Sequence, residues 1–417
     1  MSLEIKYGFP IFLSNINNNI ETPNHFLKFK SIVSKTDNNY KIINYDKSLL
    51  SSDLISTYGL YRSVIVNNKN KVVCYAPPKS FSSDFFIKKY SFNDNSNSII
   101  AEEFVEGTMI NVFWNETWEI STRNTVSANS SFYQTTPKKT FRIMFLEACK
   151  EINLSFENLN KKYCYSFVLQ HPENRIVVPF KKPVLYLVAA YLIVNENNGI
   201  NALVYPIMLN NINNEIIHHF GLDNSSVRFP KKYTDCDSYT ELIEKYASMN
   251  TSYDILGVVL HNSITGERTK IRNPVYEQVR QLRGNQPKLQ YQYLHLRNQG
   301  KIADFLKYFP ENKHQFSEFR DQVHLFTNTL FSNYISCYIK KEKPLIEYPE
   351  QYRIHMFNLH RKYLNELKEK KQFITNTAVK QYVNELHPSL LMYTLNYQFR
   401  KRYVDLLKCE DITPLHI

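Results

Sequence analysis

The sequence predicts an antiparallel-rich α+β domain over residues 1–272, followed by an all-α domain over residues 273–417. In the first part, short runs of β-branched and aromatic residues alternate with turns that contain Asn, Asp or Pro. After Asn273-Pro274 such runs all but vanish, and apolar residues recur at spacings of three and four. Because 43% of the residues are hydrophobic and 14% are aromatic, a wholly disordered chain is excluded.

The first domain contains strand-like and helix-like segments. Phe141–Glu151 and Tyr239–Ser248 have helical spacing. The longest apolar run, Val184–Val194, is shorter than the roughly 17–25 residues of a membrane helix, so we expect a buried strand and no membrane partner. The predicted strands are Arg62–Val66, Lys71–Tyr75, Met109–Trp114, Thr117–Thr122, Arg175–Phe180, Leu185–Val194 and Val258–His261.

The second domain has helical spacing and most of the excess positive charge. Examples of the spacing are Ala303–Phe309 and Tyr352–Leu367. Residues 273–417 contain 22 Lys and Arg against 14 Asp and Glu, and so contribute +8 to the formal net charge of +12. This balance favours an anionic partner, although a soluble protein with a high pI has the same composition.

Glycine, cysteine and histidine usage excludes several classes of protein. Only 9 glycines occur, with no G-x-G-x-x-G or G-x-x-x-x-G-K-[ST] pattern, which excludes dinucleotide oxidoreductases and P-loop ATPases. The six cysteines are far apart in sequence, so we expect reduced, mostly buried thiols. Residues 1–6 lack a signal-peptide pattern, which predicts a cytoplasmic, reducing location. The spacing of the 12 histidines predicts no metal site.

Four segments, taken in chain order, contain the motifs that indicate function. The first is a strand pair that ends in a Pro-Pro-Lys turn, and the last ends in alternating cations. The second contains Glu106-Gly107, and the third contains the sequence P-E-N-R-I-V. The segments are Tyr61–Phe81, Glu102–Thr125, Phe167–Val177 and Gly257–Arg272.

Together these segments resemble the phage-type ATP-dependent RNA ligases, which belong to the covalent nucleotidyltransferase superfamily. The resemblance covers roughly residues 55–275 in the correct order. It implies a nucleotidyltransferase core in the first domain and a helical appendage in the second. Members of the family attack the α-phosphate of ATP with the lysine of a K-x-D-G motif, which matches Phe104–Gly107 here.

The departures from the family pattern affect the chemistry. Phe104 stands at the position of the nucleophilic lysine and has no lone pair to offer. Glu106 replaces the acid of the same motif, which is a tolerable change for hydrogen bonding. Two later glutamates of the family pattern fall on Val168 and Leu256. Their loss weakens metal-assisted chemistry, because carboxylates are the oxygen ligands that Mg²⁺ prefers.

The residues around the expected pocket that still match the family pattern are mainly cations. Lys270 and Arg272 lie two apart on a strand, so both point to the same side; a solvated strand face is the alternative. Lys79 follows two prolines and is equally typical of an ordinary turn. The predicted nucleotide- or phosphate-binding residues are Arg62, Lys79, Glu106, Arg175, Lys270 and Arg272.

The leading hypothesis is an RNA-ligase-like protein with a degenerate adenylation site, which binds RNA or nucleotide phosphates without forming lysyl-AMP. One alternative is an active ligase that uses Lys79 as a relocated nucleophile, with ATP and Mg²⁺ as cofactors. Another is a structural or partner-binding protein that reuses the fold. In the helical domain Arg400, Lys401 and Arg402 are candidates for RNA binding. The Asn-, Lys- and Ile-rich composition is similar to that of proteins from AT-rich genomes, including large DNA viruses.

Overall fold

The computed structural model describes residues 10–14, 16, 24–34, 38–92, 99–132, 139–196, 201–209 and 214–401. The chain divides into two compact units, Met1–Gln281 and Leu282–Ile417. The boundary expected between residues 272 and 273 stays a prediction. Among the described residues, no helix is long and apolar enough to span a membrane.

The first unit is built on three antiparallel sheets, and the antiparallel-rich α+β class predicted for it is confirmed. In chain order its strands are β1 (Ile11–Leu13), β2 (Leu27–Val33), β3 (Asn39–Tyr45), β4 (Val64–Asn67), β5 (Val72–Tyr75), β6 (Ile99–Glu103), β7 (Thr108–Asn115), β8 (Thr117–Ser121), β9 (Tyr163–Gln170), β10 (Val184–Asn195), β11 (Ala202–Pro206), β12 (Gly257–Asn262) and β13 (Arg268–Arg272). Its helices are α1 (Ser83–Lys89), α2 (Phe141–Glu151), α3 (Asn214–Phe220), α4 (Tyr239–Tyr246) and α5 (Pro274–Arg283), the last of which runs into the second unit.

A six-stranded sheet forms the centre of this unit, in the order β1-β11-β10-β9-β7-β8. Alternate residues of β9, such as Tyr165 and Phe167, are fully buried and pack with Phe145 of α2. This is the burial expected of a sheet face covered by a helix. The helix begins where the sequence predicts because Thr140 caps it, accepting a hydrogen bond from the backbone N–H of Ile143.

The second sheet contains β2-β3-β4-β5 and packs against the other side of β9. Cys74 of β5 and Cys164 of β9 meet there, with their Sγ atoms 3.4 Å apart. Both are free thiols in the core, as are the buried thiols of Cys149 and Cys236. Cys409 lies outside the described residues.

The third sheet has the order β13-β12-β6, and its register positions the candidate site. Val259 of β12 pairs with Lys270 on one side and with Glu102 on the other. Gly257 pairs with Arg272. On its far side Gly257 accepts a hydrogen bond from the N–H of Phe104, at 3.2 Å. Phe104 therefore continues the row that contains Gly257 and Arg272.

The strand predicted over Arg175–Phe180 is wrong. The segment is an irregular bend that follows a 3₁₀ turn at Pro172–Asn174. The N–H groups of Val177 and Val178 donate to the carboxylate of Glu106, at 2.8 Å and 3.1 Å, and not to a neighbouring strand. The β-branched composition indicated a strand, but a side chain distant in sequence supplies the acceptors.

The second unit is helical over its described residues, and the helical character predicted from residue 273 onward is confirmed. Buried aromatic side chains form its core, and the Phe305 ring stacks with the rings of Phe309 and Phe316. Its helices are α6 (Leu289–Asn298), α7 (Ile302–Tyr308), α8 (Lys313–Tyr334), α9 (Glu350–Lys362), α10 (Asn376–Glu385) and α11 (Pro388–Leu395).

Gly257→Ala tests how tightly β12 and β13 are joined. Gly257 has a φ of +131°, and an added Cβ would lie 2.1 Å from the carbonyl oxygen of Ile271. We expect the free energy of unfolding to fall by about 3 kcal/mol or more, because a backbone atom would have to move. Urea denaturation measures this loss.

Gly266→Ala is the matched control for this substitution. Gly266 also has a positive φ, +70°, but an added Cβ would meet nothing within 4 Å. Only the conformational cost of about 1–2 kcal/mol remains. Equal losses in the two variants would contradict the explanation based on contact with Ile271.

Candidate functional site

Cationic side chains line one face of β13. Arg268, Lys270 and Arg272 alternate along the strand, so they share a side of the third sheet. Arg62 and Lys79 lie close enough to act electrostatically on the same strand. We call these five residues the cation cluster: Arg62, Lys79, Arg268, Lys270 and Arg272.

Lys270 lies against the residue that stands at the position of the family nucleophile. Its Nζ is 4.5 Å from the centre of the Phe104 ring, and the Arg272 guanidinium is 5.9 Å from the same centre. Gly257 has no side chain between Phe104 and β13, so the ring reaches across to these cations. The ring face attracts a cation and at the same time removes water from it.

The amine of Lys270 is strongly perturbed. Burial is the main cause, and the charges of Arg268, Arg62, Arg272 and Lys79 add to it; together they lower its pKa from 10.5 to about 6. At neutral pH the amine is therefore largely uncharged, and its lone pair is free. Cations packed together without counter-ions favour this deprotonated form.

Burial also lowers the pKa of Arg62, to about 10, with Arg268 the next cause. For Lys79 the pKa is lowered by burial first and by Arg62 second. Lys79 is nevertheless an exposed residue, and its Nζ donates to the carbonyl oxygen of Ser80 at 3.2 Å. It is therefore the most solvated amine of the cation cluster.

The cation cluster has few carboxylates near it. Arg272 forms an ion pair with Glu277 at 2.6 Å. Glu102 lies in the same row of the sheet as Lys270, but its carboxylate is 3.3 Å from His261. In the part of the chain that the structure describes, no ion pair involves Arg62, Arg268 or Lys270. Most of the local positive charge is therefore uncompensated.

Arg268 is a site residue that the sequence analysis missed. Its Nη2 donates to the carbonyl oxygen of Pro78 at 2.6 Å, while its Nε is buried without a hydrogen-bond partner. The signal was present, because Arg268 precedes Lys270 by two residues and alternation on a strand places both on one face. A buried, unpaired N–H on a guanidinium costs free energy unless a ligand or water satisfies it.

Two other predicted site residues, Glu106 and Arg175, lie together and bond to the protein backbone. The Glu106 carboxylate is buried and accepts hydrogen bonds from the N–H groups of Val177 and Val178. Burial raises its pKa from 4.5 to about 7, and these two hydrogen bonds oppose the shift. The Nε of Arg175 donates to the carbonyl oxygen of Val177 at 2.9 Å. Glu106 and Arg175 thus hold the bend that follows β9.

The positions of the two later family glutamates are apolar or only partly exposed. Val168 is buried with Val105, Val184 and Tyr186. Leu256 precedes β12 and is half-buried. An apolar surface therefore stands where the family pattern has metal-binding carboxylates.

A pocket of about 120 Å³ lies beside Arg268. Its walls are mainly apolar, and Glu102 and His261 also reach it. The lining residues that concern the site are Pro78, Glu102, Val188, Tyr191, His261 and Arg268. A flat, partly polar ring is the kind of group that such a surface accepts.

The RNA-binding candidates of the helical unit are engaged in local contacts. The Arg400 guanidinium lies 4.5 Å from the centre of the Tyr393 ring, and Lys401 is 3.5 Å from Glu350. Arg402 lies outside the described residues. These contacts leave RNA binding by the helical unit as a prediction.

One group of side chains has the ligand types of a metal site. Glu147, His171 and Glu173 lie together, with Glu147 and His171 3.0 Å apart. Lys139 already binds both carboxylates, at 3.1 Å and 2.6 Å. A lysine ammonium therefore occupies the place that a cation would take.

Glu106→Ala should destabilise the first unit. It leaves the N–H groups of Val177 and Val178 without acceptors, at a cost of about 1–3 kcal/mol for each group that stays buried. Glu106→Gln keeps a carbonyl oxygen as acceptor and is the control. Thermal unfolding at pH 5 measures both effects.

The same carboxyl should give the wild type a pH dependence that Glu106→Gln lacks. Because its folded pKa of about 7 exceeds the unfolded 4.5, its stabilising contribution is complete below 4.5 and is lost as the pH rises through 7. We therefore expect Glu106→Gln to gain on the wild type between pH 5 and pH 8. Parallel melting curves of the two proteins across this range would contradict the raised pKa.

Lys270→Met should stabilise the protein at pH 7. The unfolded lysine is protonated below about 10.5, whereas the folded one is protonated only below about 6, so stability falls as the pH drops through this window. Methionine removes the penalty, and its advantage in melting temperature should shrink towards pH 10. Lys69→Met, at an exposed lysine, is the control. A constant advantage at both pH values would contradict the buried amine.

No family model matches the sequence. An RNA ligase of Rhodothermus phage RM378 is 23% identical over 368 residues, which covers 80% of this chain and 78% of that protein. The similarity thus extends well beyond the segments that contain the four motifs.

Solved ligases were also found by structural similarity. An archaeal ATP-dependent RNA ligase covers 90% of this chain and 75% of its own, with 9% identity and a TM-score of 0.35. An RNA ligase variant from Naegleria gruberi, with ATP and Mn, covers 65% of this chain and 85% of its own, with 10% identity and a TM-score of 0.31. Because both TM-scores are below 0.5, we base no conclusion on them.

The sequence relationship and the four motifs agree. The phage RNA ligase matches over 78% of its length, and the four segments follow one another in the family order within the first unit. Strands carry most of these segments, whereas the P-E-N-R-I-V part of the third lies in a 3₁₀ turn and the bend after it. The resemblance to the RNA ligase nucleotidyltransferase family is therefore confirmed, and the chain is similar to a phage RNA ligase over most of its length.

Proposed function

We propose that this RNA-ligase-like protein binds the phosphates of RNA or of a nucleotide at the cation cluster. The observation that carries the proposal is the packing of Lys270 among four other cations, with no carboxylate paired to it in the described residues. An arrangement of this kind costs stability in the free protein. An anionic ligand relieves that cost, because each phosphate supplies the missing negative charge.

The surroundings favour a nucleotide unit over an isolated phosphate. The apolar pocket beside Arg268 borders the cation cluster, so a ring can be accommodated next to a bound phosphate. The phage relative is an RNA ligase, and nucleotides and RNA are the ligands that this relationship suggests. The shared chemistry of these ligands is the phosphodiester or phosphate group.

A nucleotide cannot be attached covalently to residue 104, because this residue is a phenylalanine. Its side chain has no lone pair, so a protein that relied on position 104 would bind without forming lysyl-AMP. For the alternative in which Lys79 is the nucleophile, the exposure of that amine and its hydrogen bond to Ser80 are unfavourable. ATP and Mg²⁺ remain the cofactors expected of an active site.

Binding across a salt series tests the proposal. Fluorescent single-stranded RNA and labelled ATP are titrated separately into the wild type and into Arg62→Gln/Lys270→Met. We expect the affinity for RNA to fall with rising salt, and the double variant to lower the log–log slope by about 0.7 for each lost phosphate contact. Lys69→Gln, which removes an exposed lysine elsewhere in the unit, should leave both affinities unchanged.

The two ligands separate the possible outcomes. Binding of ATP with weak RNA affinity would identify a nucleotide site, and the reverse would identify an RNA site. Absence of binding to either ligand at low salt would refute the proposal and favour a structural or partner-binding role. So would affinities that are the same in the wild type and the double variant.

A further inference from the structure

We propose that Lys270 is a relocated nucleophile, whose amine takes the nucleotide that a lysine at position 104 would otherwise carry. The inference rests on the proposed phosphate-binding function and assigns the reacting atom of the same site. Lys270 comes from a different strand than Phe104, so the motif order alone does not indicate it.

The geometry places the amine of Lys270 beside Phe104, the position at which the family pattern has its nucleophilic lysine. Phe104 follows β6, Lys270 lies on β13, and β12 separates them. The long lysine side chain crosses this distance and brings Nζ to 4.5 Å from the centre of the Phe104 ring. The site thus has one amine beside position 104, supplied by the far strand of the sheet.

The surroundings keep this amine unprotonated. The charged and titratable groups around it are the four other members of the cation cluster, together with Glu102 and His261, which pair with each other. Burial and the four cations lower the pKa of Lys270 to about 6. The three arginines of the cation cluster also lower the pKa of Lys79, but that residue is exposed and its Nζ donates to the carbonyl oxygen of Ser80.

The proposed step requires ATP with a divalent cation from solution. The lone pair of Lys270 Nζ attacks the α-phosphorus, an N–P bond forms, and the bond from that phosphorus to the bridging oxygen breaks. Pyrophosphate leaves with the electron pair as its metal complex, and the nitrogen loses a proton to solvent. Arg62, Arg268 and Arg272 supply positive charge near the phosphates as they become more negative.

The test incubates the full chain with Mg²⁺ and ATP labelled on the α-phosphate, and then maps the covalent label by peptide mass spectrometry. We expect the label on Lys270, and a labelling rate that rises from pH 5 to pH 7 and then levels off. Lys270→Arg keeps a cation but cannot offer a neutral amine, so its label should fall by about tenfold or more. Lys69→Gln is the control for non-specific labelling.

Non-covalent ATP binding, measured on the same preparations, separates this inference from the proposed function. Binding without covalent label would overturn the inference and leave the phosphate-binding proposal standing. Label on Lys79 or another residue, or label that survives in Lys270→Arg, would also overturn it. If the wild type neither binds ATP nor takes up label, the inference is overturned, and the phosphate-binding proposal falls with it only if single-stranded RNA also fails to bind at low salt.

Discussion

The position of Lys270 among four other cations is the constraint on which the site depends. The register of β13, β12 and β6 fixes it, since Val259 aligns Lys270 with Glu102, and Gly257 brings Phe104 beside β13. Hydrogen bonds between strands therefore hold this amine and the neighbouring cations together, although such groups would separate in a flexible loop. Under the proposed phosphate-binding function, a bound anion would offset the free energy that this arrangement costs.

Local signals predicted much of the fold. The bounds of α2 follow from its apolar spacing and the cap at Thr140, and β10 follows from a continuous β-branched run, so both were predicted closely. The sequence of β2 has an alternating pattern, but this strand was not predicted. The segment Arg175–Phe180 could not be predicted correctly, because Glu106 satisfies its backbone from about 70 residues away in sequence.

Part of the candidate site was also predictable from local sequence patterns. Alternation along one strand indicates that Lys270 and Arg272 share a face, and it extends to Arg268. The contact between Lys270 and Phe104 depends on pairing between strands that are more than 150 residues apart, and no local pattern encodes this register. Lys79 follows a conspicuous turn, yet the fold leaves it exposed, whereas Lys270 is half-buried against Phe104.

The contact between Lys270 and Phe104 also limits how such a site can change during evolution. A lysine at position 104 would bring a further amine beside one that four cations already surround, and each amine would oppose protonation of the other. The residues at 104 and 270 are therefore epistatic. A phenylalanine at position 104 lacks the family amine, and its ring covers the amine of Lys270. A lysine restored at position 104 would therefore act on the amine of Lys270 as well as on its own position.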